Sequence, residues 1–236
     1  MGRTAQRRLP AYRNFPAFAD RPVDRPTRPD PTRHLDLGCG ANPRNPYGAS
    51  ELHGVDIAPP AASTSLQVRQ ANVAVDPIPY PDGYFDSVSA YDVLEHIPRV
   101  LATADGRSTR LPFVELMNEI WRVLAPGGRL YALTPAYPHG AAFQDPTHVN
   151  IITGVTHHYF TQPQLLARMY GFHGNFEVDR VLRIRPSSAD YEPREHSLIQ
   201  RLRQWQRLRR GGCSHLLWEL IAREAGVPSP AAALPT

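Results

Sequence analysis

Two glycines, a carboxylate and a scatter of histidines are the residues whose types and spacing could do chemistry. His34 to Pro43 reads HLDLGCGANP, a short apolar run carrying Asp36 and then a turn with Gly38, Cys39 and Gly40. Glycines suit such a turn where a ligand must lie against the backbone, because a Cβ would block the approach. By itself a Gly-x-Gly turn after a strand serves several cofactors and many plain tight turns. Asp56 adds a constraint: it ends the run LHGVD eighteen residues after Gly38. A carboxylate at that strand tip can accept hydrogen bonds from both ribose hydroxyls of an adenosine. The alternative is a strand-terminal Asp that caps the next turn.

The residues after Gly40 discriminate between nucleoside ligands. A dinucleotide needs a helix N-terminus there to hold its pyrophosphate. Here Ala41 to Gly48 includes Pro43, Pro46 and Gly48, which make a regular helix a poor choice. S-adenosylmethionine carries no phosphate and loses nothing by the change.

A second group of polar residues could act on an acceptor. Glu95 and His96 follow the fourth apolar run, and Asp145 to Thr153 reads DPTHVNIIT. His148 could take a proton from an acceptor hydroxyl while Asp145 holds its imidazole in one tautomer. Equally, Asp145 to His148 could form an Asx-type turn with a capping histidine, and His96 could simply line the site. The spacing of His139, His148, His157 and His158 matches no compact ligand set, so the sequence predicts no metal.

The elements that must position these residues follow from periodicity. His34 to Leu37, Leu52 to Ile57, Gln67 to Val73, Phe85 to Ala90 and Arg129 to Thr134 read as strands. Pro112 to Leu124 places Phe113, Leu116, Met117, Ile120 and Leu124 on one face of a helix that stops at Pro126-Gly127-Gly128. Gln162 to Tyr170 looks helical and Phe176 to Ile184 alternates like a strand. Glu195 to Arg210 is a basic amphipathic helix candidate, and periodicity leaves His215 to Ala222 as either helix or strand. Strands alternating with helical segments imply a mostly parallel, covered sheet.

In this order, DLGCG, GVDI, PIPYPDGYFDSV, DVLEH and WRVLAPGGRL resemble the successive motifs of the class I S-adenosylmethionine-dependent methyltransferases, of the type 11 kind. The resemblance implies an α/β fold, a doubly wound, Rossmann-like, mostly parallel seven-stranded sheet whose last strand is antiparallel. It implies S-adenosyl-L-methionine as cofactor and S-adenosyl-L-homocysteine as product. Carried onto this chain, Asp36 orients the glycine loop or the methionine amine. Gly38, Cys39 and Gly40 line the methionine moiety, and Asp56 with Ile57 binds the ribose. Asn72 and Val73 meet the adenine, and Ala90 and Tyr91 close the methionine end. Asn72 departs from the usual Asp, and its amide oxygen is expected to accept from the exocyclic amine.

Composition narrows the function class. The 236 residues, 42% hydrophobic, suffice for one buried domain, here set at residues 32–225 with a tail at 226–236. Residues 1–31 are rich in Pro and Arg and read as a disordered or loosely docked arm. The net charge is +4 and every one of the 26 basic residues is Arg, which looks like coding bias rather than a site. No apolar run is long enough to span a bilayer, Arg7-Arg8 lacks a following apolar stretch, and two distant cysteines make no disulfide framework, so a cytoplasmic protein is expected. The expected activity is methyl transfer to an O or N of a small molecule, such as a metabolite, a saccharide or a natural product. The rivals are an RNA or protein methyltransferase that uses the Arg-rich segments, and a non-catalytic scaffold.

Overall fold

The computed structural model describes residues 31–59, 67–186 and 212–224, together with Gln206. The Pro/Arg-rich arm and the tail expected at 226–236 lie outside the described residues, as does, apart from Gln206, the basic helix expected near 195–210.

Seven strands form the sheet: β1 (Arg33–Leu37), β2 (Glu51–Asp56), β3 (Gln67–Gln70), β4 (Phe85–Tyr91), β7 (Leu124–Pro135), β8 (Phe176–Ile184) and β9 (His215–Ala222). A separate hairpin joins β5 (Leu101–Ala102) to β6 (Thr109–Arg110). The sheet order is β3-β2-β1-β4-β7-β9-β8. The β2, β1, β4 and β7 pairings are parallel, and β9 runs antiparallel to both β7 and β8. This is the α/β Rossmann-like order expected for seven strands with an antiparallel last strand. His215 to Ala222, ambiguous by periodicity, is a strand because it fills the slot between β7 and β8, where both faces are covered and nearly every residue is buried.

Alternation along the strands divides the core into two faces. Leu35 and Leu37 of β1, Val88 and Ala90 of β4, and Leu130 and Ala132 of β7 join one apolar cluster with Trp218 and Leu220 of β9. Helix α1 (Pro112–Val123) seats Phe113, Leu116, Met117, Ile120 and Val123 into it. Pro112 starts the helix without loss, since an N–H there would have no partner. Leu124, expected in the helix, has already turned extended at φ −78°, ψ 133° and pairs with Phe85. The Pro126-Gly127-Gly128 turn therefore sits inside β7, as a register shift opposite Phe85 and Ser87, rather than between helix and strand.

The opposite face carries His34 and Asp36 of β1 and the residues Tyr91, Tyr131, Leu133, Leu217 and Ile184. Ala41 to Ser50 crosses from β1 to β2 without helix, as its prolines predict. Tyr47 anchors this stretch: its ring meets Tyr131 edge-on at 6.1 Å and its hydroxyl donates to Glu219 Oε1 at 3.1 Å.

Between β7 and β8 run a short helix, α2 (Ala141–Gln144), and two 3₁₀ turns. The helix expected over Gln162 to Tyr170 is reduced to a 3₁₀ turn at Leu166–Tyr170. Pro163 supplies no backbone donor, and Leu165 takes a left-handed conformation at φ 44°. Among the described residues no helix is long and apolar enough to cross a membrane.

Candidate active site

The strand order reverses between β1 and β4, and ligands of open α/β sheets bind in the crevice beyond the carboxyl ends of strands at such a switch. Two chain segments meet there. The first is the turn of Gly38 and Gly40, at φ 63° and 54°, a region that favours glycine. The second starts at Asp92, after β4, and enters a 3₁₀ turn at Leu94–His96. Contact between them is close: a Cβ on Gly38 would stand 2.6 Å from Val93 Cγ2.

Asp56 ties the tips of β1 and β2 together. Its Oδ2 accepts from the Gly40 amide and its Oδ1 from the Ala58 amide, each at 2.8 Å. A carboxylate has about four lone-pair sites, so two remain for ribose hydroxyls. Where a side chain would project from Gly40, nothing lies within 4 Å. That open cradle beside a half-exposed carboxylate fits an adenosyl sulfonium and has no helix to hold a pyrophosphate.

Beneath the turn runs a buried polar chain. Asp36 Oδ1 accepts from Ser89 Oγ at 2.6 Å and Oδ2 accepts from the Arg44 amide at 2.8 Å. His34 Nε2 lies 2.8 Å from Ser89 Oγ and its Nδ1 2.7 Å from Ser87 Oγ. Since the Ser89 proton goes to Asp36, Ser89 accepts from His34 Nε2–H, and Nδ1 accepts from Ser87. The imidazole is thus neutral in a fixed tautomer, and burial pushes its pKa down to about 3. Burial also pushes the Asp36 carboxyl up to about 6, against the pull of Ser89 and Arg44. Buried and bonded to Ser89 and the Arg44 amide, Asp36 holds the loop after β1.

The other residues singled out in the sequence fall into two groups. Cys39 packs inward, its Sγ 2.5 Å from where a Cβ on Gly54 would stand, and burial pushes its thiol up to about 11. It can offer a ligand only backbone. Ala90 is likewise in the core, while Tyr91 lies under the Arg44 guanidinium at 4.4 Å on the second face. Ile57 is 61% exposed past the tip of β2. Asn72 and the half-buried Val73 follow β3, but the Asn72 amide oxygen already accepts from the Ala74 amide at 3.1 Å. That oxygen keeps a second lone pair, and the side-chain NH₂ adds a donor beside it.

Of the two readings of Asp145 to His148, the structure shows the Asx-type turn. Asp145 Oδ1 accepts from the amide and the hydroxyl of Thr147, at 2.8 and 2.6 Å, which makes the Asx-type turn. Its Oδ2 stays 3.9 Å from His148 Nε2, beyond hydrogen-bond reach. Asp145 acts on His96 instead, through Thr147 Oγ1, which is 2.9 Å from His96 Nδ1. The partner that sequence reasoning missed for His148 is Glu95. Its Oε1 lies 4.0 Å from His148 Nε2, its Oε2 accepts from Thr134 Oγ1 at 2.9 Å, and its backbone carbonyl accepts from the amides of Val149 and Asn150. Those last two bonds clamp the His148 segment onto the turn after β4. Burial pushes the Glu95 carboxyl up to about 7.

Glu95, His96 and His148 thereby form one cluster, with donor atoms within 4.8 Å of one another. His139, His157 and His158 belong to no such group among the described residues. The only sequence signal for the cluster was the pair Glu95-His96 directly after a strand that ends at the sheet's switch point.

Comparison with known proteins bears on the same segment. Residues 35–132 match the family described as "Methyltransferase domain". The chain is 32% identical over 135 residues to "Demethylmenaquinone methyltransferase" of Thermus thermophilus (51% of this chain, 56% of that protein). It is 28% identical over 131 residues to "Probable tocopherol O-methyltransferase, chloroplastic" of Oryza sativa subsp. japonica (50% of this chain, 32% of that protein). The match thus spans about half of the first relative's length and a third of the second's. Among solved structures, an S-adenosylmethionine dependent methyltransferase from Mesorhizobium loti is similar with a TM-score of 0.44 and 15% identity, covering 82% of this chain and 93% of that one. Residues 35–132, which carry the glycine turn, Asp56 and helix α1, thus resemble a methyltransferase domain, and that resemblance implies S-adenosylmethionine as cofactor and S-adenosylhomocysteine as product.

Proposed function

We propose that the chain transfers the methyl group of S-adenosylmethionine to an O or N of a small molecule. One observation carries the reading: Val93 packs on Gly38, so the glycine turn held by Asp56 adjoins the segment that carries Glu95 and His96, after the strands at the sheet's switch point. When bound there, the cofactor supplies an electrophilic methyl on a sulfonium. Asp56 accepts from its ribose, the backbone of Gly38, Cys39 and Gly40 lies along its amino-acid portion, and the Asn72 amide meets its base.

Methyl transfer is an in-line displacement, in which the protein contributes mostly proximity, plus proton removal where the acceptor is a hydroxyl. We assign that second task to the polar cluster. Both curated relatives are named for small molecules, which supports a small-molecule acceptor here. The Arg-rich segments on which an RNA or protein acceptor would rest lie outside the described residues, and nothing in the site favours one.

The test is transfer of labelled methyl from S-adenosylmethionine into an extract of the producing cells, separated into low-mass, lipid, RNA and protein fractions. Label is expected in the low-mass or lipid fraction and absent with D56A. Label confined to RNA or protein would overturn the choice of acceptor.

A further inference from the structure

The geometry points to a divalent cation site of the zinc type, held by Glu95, His96 and His148, that takes a hydroxyl oxygen of the methyl acceptor. Three observations carry it, and none depends on the cofactor.

The donor set comes first. One carboxylate and two imidazoles suit a borderline cation such as Zn²⁺ rather than Mg²⁺ or Ca²⁺, which prefer oxygen alone. Their donor atoms lie within 4.8 Å of one another. Tetrahedral zinc with bonds of ~2.0–2.1 Å needs donors roughly 3.3 Å apart, a contraction that side-chain rotation supplies.

Second, polar atoms there are stranded. Glu95 is 2% exposed at its side chain and His148 10%. Glu95 Oε1 and His148 Nδ1 are both buried without a hydrogen-bond partner, and a cation between Oε1 and His148 Nε2 would satisfy the first of them. A buried unsatisfied polar group is costly and rare. Glu95 Oε1 faces His148 Nε2 across 4.0 Å, too far for a hydrogen bond and wide enough for an ion between them.

Third, outer partners orient the ligands. Thr134 holds Glu95 Oε2, which leaves Oε1 to coordinate. The Asp145 carboxylate accepts from Thr147 Oγ1, which in turn accepts from His96 Nδ1–H, so His96 presents its Nε2 lone pair. A carboxylate-linked hydrogen bond on the far nitrogen is how ligating histidines are ordinarily fixed. Asp92 and Asp145 also bear on Glu95 with negative charge, which favours a cation.

Three protein ligands leave coordination positions open, as catalytic sites do. An acceptor hydroxyl in one of them loses its proton to solvent more readily. Its oxygen lone pair then forms the new O–CH₃ bond while the CH₃–S bond of the donor breaks, with the electron pair leaving on sulfur. This role rests on the methyl-transfer reading; cation binding itself does not.

The test uses the full chain, stripped with a chelator and dialysed. It is titrated with Co²⁺, read by visible absorption, and with Zn²⁺, read by calorimetry. One ion per chain is expected, weakened at least about tenfold in H96A, H148A and T147A; His96 is half-buried and Thr147 exposed, so those two variants should fold, and circular dichroism checks H148A. Absence of stoichiometric binding, or binding unchanged in H96A and H148A, would overturn the site. Binding of S-adenosylmethionine is measured on the same samples, so failure of the cofactor reading shows separately from failure of the cation site.

Discussion

The amide of Gly40 donates to Asp56 Oδ2 across 2.8 Å, so the tip of β2 holds the turn that follows β1. The same carboxylate that would meet a ribose thus shapes the loop that would meet the rest of the ligand. Binding and loop geometry share one residue, and substitutions around it should separate into those that damage the fold and those that damage only the ligand site.

G38A and G40A test that separation. Either alanine would sit in the left-handed region, which costs about 1–2 kcal/mol. At Gly38 the new methyl also meets Val93 Cγ2 at 2.6 Å, so urea unfolding should show a loss of about 2–4 kcal/mol. At Gly40 the methyl enters open space. G40A should lose only the backbone cost in stability, yet bind S-adenosylmethionine about tenfold or more weakly. Equal effects of both variants on stability would contradict this account.

Tyr47 docks the proline-rich segment on the second face of the sheet, in place of a helix. Y47F removes only the bond to Glu219 and should cost about 1–2 kcal/mol. Y47A also empties the space against Tyr131 and should cost about 3–5 kcal/mol. Chemical denaturation of the two variants gives the comparison, and no difference between them would mean that the ring contributes no packing.

Much of this fold is legible in the sequence because its signals are local. Phe113, Leu116, Met117 and Ile120 mark α1 by spacing alone, and Pro43 and Pro46 correctly exclude a helix after Gly40. What was not legible depends on tertiary context. His215 to Ala222 is apolar on both sides whether helix or strand, and only the gap between β7 and β8 decides. Leu124 fits the helical period but is recruited by Phe85 into β7. The apolar residues of Gln162 to Tyr170 suggested a helix, yet Leu166, Met169 and Tyr170 are exposed. At the site, the glycine turn and Asp56 announced themselves by spacing. The pairing of Glu95 with His148 did not, because backbone bonds from Val149 and Asn150 to the Glu95 carbonyl bring together segments remote in sequence.

The cluster makes a kinetic prediction. On the proposed assignment of His148 to the acceptor, H148A should lower kcat by about 10²-fold or more while leaving the affinity for S-adenosylmethionine unchanged. D145A should have a smaller effect, because it reaches His96 only through Thr147. Steady-state kinetics on the acceptor found by fractionation measure both, and a variant H148A with unchanged kcat would contradict the assignment.

Acid stability should depend on the buried chain of His34, Ser89 and Asp36. The folded chain refuses a proton at His34 until about pH 3, whereas the unfolded chain takes one near pH 6.5. Stability from this group is full above that pH and is lost as pH falls toward 3. His157, pushed down to about 4 by burial, acts in the same direction. Asp36 acts oppositely: with its folded pKa raised to about 6, stability from this group falls as pH rises from about 4 to 6. Thermal midpoints should therefore drop more steeply between pH 6 and about 4 in D36N than in the parent, and less steeply in H34Q. Parallel curves would show that the pair does not titrate on unfolding.

The most direct measurement is calorimetric titration of the purified full chain, and of D56A, with S-adenosylmethionine and S-adenosylhomocysteine. The account predicts one site per chain, weakened about a hundredfold by D56A through the lost ribose hydrogen bonds, with far-ultraviolet circular dichroism unchanged. A parent chain that binds neither ligand, or a folded D56A that binds as tightly as the parent, would contradict the placement of the cofactor against the Gly40 turn and Asp56.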